Sequence, residues 1–130
     1  MAQAYRETKA AEIQNYKVDA AVTPVAGADD IAVNRIVKSL AAGTIVYSIN
    51  GVDGHAGVTL CGADIGNNLD VQNTGIAIVE AGGVVAVNDA ITAGALGRGV
   101  TGTGYIIGFA LTASAALGDL ISVQLDAMNV

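Results

Sequence analysis

Apolar residues in this chain come in short runs broken by Gly, Asn and Asp, and toward the C-terminus they alternate with polar ones. The run Leu120, Ile121, Ser122, Val123, Gln124, Leu125 has the period of two that puts one face of a strand on a core. Before it, residues 105–111 form a second apolar run, and Gly118-Asp119 supplies a residue free to take positive φ and one that can bond its own backbone. The same pattern predicts strands over residues 44–49, 56–61, 69–72, 75–80 and 84–87, with turns at Asn50-Gly51 and Asp53-Gly54. A further strand is predicted over residues 18–22, ended by Pro24.

The pattern also repeats. A shift of 51 residues places Ala42-Gly43 on Ala93-Gly94, Gly57 on Gly108 and Leu60 on Leu111. A shift of 52 places Gly66 on Gly118 and Val71-Gln72 on Val123-Gln124. Residues 30–43 fit either a helix capped by Asp30 or a strand and turn, and the repeat favours the strand. The expected fold is therefore all-β, a small β-sandwich or barrel built from two similar β units, about residues 34–72 and 85–124. Ahead of this β domain, assigned to residues 29–130, residues 1–28 are too poor in apolar residues to form a core and read as an extended N-terminal arm. Within that arm, helix propensity allows a short helix over residues 4–13.

Composition narrows the function. The 130 residues include 17 Gly, one Phe, four Tyr and no Trp, which leaves no aromatic cluster to stack bases or sugars. The formal net charge is -6, opposed to nucleic-acid binding. Residues 1–38 hold five of the six bases, so the arm is mixed in charge while the body is acidic and suited to staying soluble. The uncharged window 99–118 holds five glycines and four Ser or Thr, a poor membrane span. Cys61, the single cysteine, sits in an apolar run and reads as a buried structural thiol.

Candidate chemistry is sparse. Gly97-Arg98-Gly99-Val100-Thr101-Gly102 has the spacing of a dinucleotide loop but precedes a β-like stretch, so its glycines fit a hairpin tip better. His55, the lone histidine, lies beside Asp53 in a turn, too few ligands for zinc and without a nucleophile in reach for hydrolysis. Asp29, Asp30, Asp64, Asp70, Asp89 and Asp119 fall in expected turns, where a carboxylate serves the backbone. No catalytic, cofactor or metal residue is assigned, and the expectation is a non-enzymatic protein that works through its surface.

The segments Gly82 to Gly94, with Ala90-Ile91-Thr92-Ala93-Gly94, and Ile107 to Leu125, with Gly118-Asp119 and the closing Leu120 to Leu125 run, resemble the capsid cement, or head decoration, proteins of tailed phages. That resemblance covers about residues 35–125, more loosely before 75; the hairpin at 95–102 is shorter and the arm longer than the family pattern. It implies a virion protein on the outer capsid surface, commonly a homotrimer, that bridges subunits of the major capsid protein. The arm residues Tyr5, Arg6, Lys9, Tyr16 and Lys17 are the expected capsid contacts, from the charge and predicted disorder of the arm. The alternative is a soluble binding or adhesion module that recognises a ligand or host surface through the loops of the same scaffold.

Overall fold

The structure is a computed structural model, and it describes residues 13–19, 22, 29–41, 43–48 and 56–125. Among these the protein is all-β. Strands β1 (Ile13–Val18), β2 (Ile36–Ala41), β3 (Thr44–Tyr47), β4 (Gly57–Thr59) and β5 (Asn68–Gln72) form a closed barrel in the order β1-β3-β2-β4-β5. Strands β6 (Ile76–Glu80), β7 (Ala90–Ala93), β8 (Gly99–Thr101), β9 (Gly108–Ala110) and β10 (Leu120–Leu125) form a second sheet in the order β6-β10-β9-β7-β8.

Starting from β1 and from β6, the two sheets follow the same path. β5 lies antiparallel on β1 with Ile13 opposite Gln72, and β10 lies antiparallel on β6 with Ile76 opposite Gln124. The first barrel closes through a parallel pairing in which Val18 meets Ile45, and the second sheet is drawn round by a parallel bridge from Ala81 to Gly99. The bridge Ile31 to Ala63 has its counterpart in Val85 to Ser114. Asn34 and Asn88, which open the matched strands β2 and β7, both adopt positive φ, 64° and 75°.

The periodicity of the strands decides what is buried. In β10, Ile121, Val123 and Leu125 point inward while Leu120 and Gln124 face out. In β6 the inward pair is Ala77 and Val79, with Ile76 and Ile78 outside. One core cluster joins these to Ile91, Ile107 and Ala110, and it also takes in Ile36 and Val58 from the first barrel. The other cluster gathers Val18, Ile31, Val37, Ile45, Tyr47, Leu69 and Val71, with Leu96 of the second unit packed on it. The barrel thus lends Ile36 and Val58 to the core of the second sheet, and the second unit packs Leu96 on the core of the barrel.

Glycine sets the closest approach within each barrel. A Cβ on Gly57 would run into the carbonyl oxygen of Gln72, and one on Gly108 into that of Gln124. Only a residue without a side chain lets these strands pair.

Several expectations need correcting. Residues 13–18, assigned to the arm, form the strand that closes the first barrel, because β1 finds β5 on one side and β3 on the other. Of the strand expected over 18–22, Val18 ends β1 and residues 20 and 21 lie outside the described residues, as does the helix expected over 4–13 except Ile13, which opens β1. Ala90–Ala93, not among the expected strands, is strand β7, and around Val85 there is an isolated bridge rather than a full strand. Ala42-Gly43 does not match Ala93-Gly94; Gly43, at φ 79°, occupies the place of Gly97, at φ 72°, three residues further on. Cys61 is exposed, since β4 ends at Thr59 and the chain turns outward.

Candidate interaction surface

The most structured polar feature of the molecule is the seam between the barrels. Arg35 enters it just ahead of β2, held by a hydrogen bond from its backbone N–H to the Thr59 hydroxyl at 3.0 Å. Its guanidinium donates to the Leu96 carbonyl at 3.1 Å and to both carboxylate oxygens of Glu80 at 3.3 Å. Glu80 ends β6 and also accepts from Arg98 Nε at 2.8 Å. Its backbone N–H reaches the Asn34 carbonyl at 2.9 Å, a strand-like bond from one barrel to the other. Gln72 Nε2 completes the joint by donating to the carbonyls of Thr74 and Ile76, each at 2.9 Å.

The electrostatics follow from that geometry. Partial burial pushes the Glu80 carboxyl up, but the Arg98 hydrogen bond and the charges of Arg35 and Arg98 outweigh it and hold the carboxyl below its ordinary value. Arg35 is 5% exposed and its Nε has no partner among the described residues, so the pair with Glu80 is what offsets the cost of burying the cation. At the place matching Arg35 the second unit has Asp89. Its carboxyl is lowered by hydrogen bonds from the Ala86 N–H and then from the Thr101 hydroxyl.

Asp30, Asp64, Asp89 and Asp119 serve the backbone as expected, whereas Asp70 lies on β5 and accepts from the Asn15 side-chain amide at 3.0 Å. Asp30 accepts from the Ile65 N–H, Asp64 from that of Asp30, and Asp119 from those of Ala115 and Ala116. The outer face of the second sheet is different in kind. Ile76, Gln124 and Phe109 fall in one row across β6, β10 and β9, and Ile78 and Leu120 flank it, all exposed.

Of the expected capsid-contact residues, Tyr16 and Lys17 lie on β1, where Tyr16 is partly buried against the first core and Lys17 is exposed. Tyr5, Arg6 and Lys9 lie outside the described residues, as do Asp53 and His55. Among the described residues no group of three or more potential metal ligands comes together. None of their helices is long and apolar enough to cross a membrane. The glycine-rich motif divides: Gly97 ends a single 3-10 turn (Ala95–Gly97), and Gly99 to Thr101 are β8. Gly97 presses on the first barrel, where an added Cβ would lie 2.9 Å from Tyr47 Cδ1, so its role is packing rather than phosphate binding.

No family model matches the chain, and no curated protein does. Among solved structures, the chain is similar to the N base of head fiber gp8.5 of bacteriophage phi29. The TM-score is 0.68 at 15% identity, over 90% of this chain and 95% of that one. At that identity the likeness is one of fold.

The sequence reading missed Arg35, Glu80 and Arg98 as a unit. A signal was present: Arg98 is the one base after residue 38, and Glu80 interrupts an otherwise apolar strand. Isolated charges in apolar surroundings are rarely buried without a partner.

Proposed function

We propose that this chain is a structural protein of a phage virion, a decoration protein that binds the outer head surface and bridges subunits of the major capsid protein, as a homotrimer. The observation that carries the reading is the likeness to the base of a phage head fiber across nearly the whole of both chains. The resemblance of Gly82 to Gly94 and Ile107 to Leu125 to head decoration proteins points the same way.

In this reading the segment that engages the capsid is residues 1–12, with Tyr5, Arg6 and Lys9, because Tyr16 and Lys17 belong to a barrel strand. An extended segment can add a strand to an exposed sheet edge of the shell and gain affinity through backbone hydrogen bonds. Bridging stabilises a shell under internal pressure in proportion to occupancy, since the clamp binds the assembled lattice. The acidic body resists unspecific contact with packaged DNA.

The test is to add purified chain to undecorated heads and sediment them. The full chain should travel with heads in a fixed ratio to the shell protein, and a chain lacking residues 2–12 should stay at the top of the gradient while keeping its β signal. A truncated chain that saturates heads would reject the arm; a full chain that never binds heads would favour the ligand-binding module.

A further inference from the structure

We propose that a second copy of this chain docks the outer side of its β1, around the exposed Lys17, onto the face of β7, β9 and β10, repeating between molecules the side-chain pairing of the joint that ties the two halves within one, but not its backbone bond, since the Lys17 N–H donates to the Gly43 carbonyl. The argument starts from the matched registers. Because Ile13 opposite Gln72 corresponds to Ile76 opposite Gln124, β1 is the equivalent of β6, and Lys17 stands where Glu80 does. Because the Asn34 N–H bonds the Thr59 carbonyl as the Asn88 N–H bonds that of Ala110, the face that receives β6 has an equivalent around Asn88. There Asp89 stands for Arg35, Phe109 for Val58 and Gln124 for Gln72.

The internal joint uses one copy of each face and leaves the other copy open. Val58 is 1% exposed and Gln72 6%, whereas Phe109 is 46% exposed and Gln124 is also exposed. On the opposite side, a Cβ on Gly97 would strike Ile36, Tyr47 and Arg35, while one on its counterpart Gly43 would meet nothing among the described residues. Both equivalents are therefore uncovered by the described residues.

Charge identifies the occupant. Within the chain a cation on the receiving face, Arg35, meets an anion on the inserted strand, Glu80. In the open copies the signs are exchanged on both sides, with the anion Asp89 on the receiving face and the cation Lys17 on the strand. The two changes compensate each other only if Lys17 of one molecule meets Asp89 of the next. Wrong pairings are disfavoured, since Glu80 on Asp89 sets acid on acid and Lys17 on Arg35 sets base on base. Phe109 would then pack beside Tyr16, which takes the place of Val79, an aromatic pair where the internal joint has Val58 and Val79 in one core cluster. Such an interface joins different patches on the two partners, so it closes into a ring when its rotation divides a full turn.

This joint refines the self-association within the reading above and is tested in buffer with no heads present, so its failure and a failure to bind heads are separate results. Sedimentation equilibrium of the full chain should show self-association. Lys17→Glu and Asp89→Lys should each weaken it at least about tenfold, and the two reversals together should restore it. Since Asp89 also holds the Ala86 N–H and the Thr101 hydroxyl, Phe109→Glu serves as a second receiving-face variant, and circular dichroism checks each fold. Zero-length carbodiimide coupling of mixed light and heavy copies should yield a Lys17 to Asp89 peptide pair of mixed isotope. A monomeric chain, or an oligomer indifferent to Lys17→Glu and Phe109→Glu, overturns the proposal.

Discussion

The two barrels share path, register and even the left-handed asparagine before the matched strands, yet they spend their polar residues differently. In the first, Arg35 and Thr59 are carried inside, at 5% and 0% exposure, and Tyr47 offers its hydroxyl to the Ala32 N–H at 2.8 Å. At the matched places the second has Asp89, Ala110 and Thr101, a smaller and more aliphatic set whose carboxylate stays near the surface. The half that receives a neighbour within the chain is polar at its rim, with Arg35 paired to Glu80, while the other has an exposed phenylalanine and a turn aspartate there.

Substitutions can break that comparison, beginning with the largest effect. Gly57→Ala and Gly108→Ala both drive a methyl into a neighbouring carbonyl and should each cost about 3 kcal/mol or more. Gly57→Ala should be the worse, because Gly57 also holds φ 151°. Equal denaturant midpoints for the two would deny that difference. Ile36→Ala should remove about 3 kcal/mol and lower the stability of both barrels together, since Ile36 sits on a first-barrel strand but in the second core. Two separate transitions in the melt would show instead that the cores are independent.

Glu80→Ala leaves Arg35 buried without its carboxylate and should cost about 3 kcal/mol, against almost nothing for Lys17→Ala measured below the self-association range. The pH dependence sharpens this. Because the folded Glu80 lies below its ordinary value of 4.5, its contribution is whole above that value and is lost as pH falls through the lower folded one. Urea titrations should therefore show a loss of stability in acid that shrinks in Glu80→Gln. The smallest effect is expected at the matched asparagines, where Asn34→Ala and Asn88→Ala should each cost about 1 kcal/mol and the glycine variants almost none.

Much of the fold could be read from the alternation of apolar and polar residues. The period of two in β10 and the paired positions of Gly57 and Gly108 located the second half of each unit correctly. The first half was harder. The offset there is 54, not 51, and the coincidence of two Ala-Gly pairs outweighed the true match of Gly43 with Gly97. β1 was hidden for a different reason: its residues Ile13, Gln14, Asn15 and Lys17 are exposed and Val18 alone is fully buried, so nothing in it announces a core strand. The seam left no periodic trace, since its ion pair joins residues 45 apart, and only the isolation of Glu80 and Arg98 among apolar residues marked it.

The closing pairs also set a timetable for the nascent chain. Ile13 finds its partner at Gln72, and the backbone of Gly75 finds its own at Leu125. Each barrel must therefore wait for its final strand before its first can dock, and contacts so distant in sequence make folding slow. On the ribosome the first barrel can close once β5 has emerged, while the second waits for β10. A ribosome that stops short of Leu120 would release a finished first barrel whose receiving face, around Arg35, Ile36 and Val58, is left bare for quality control to find.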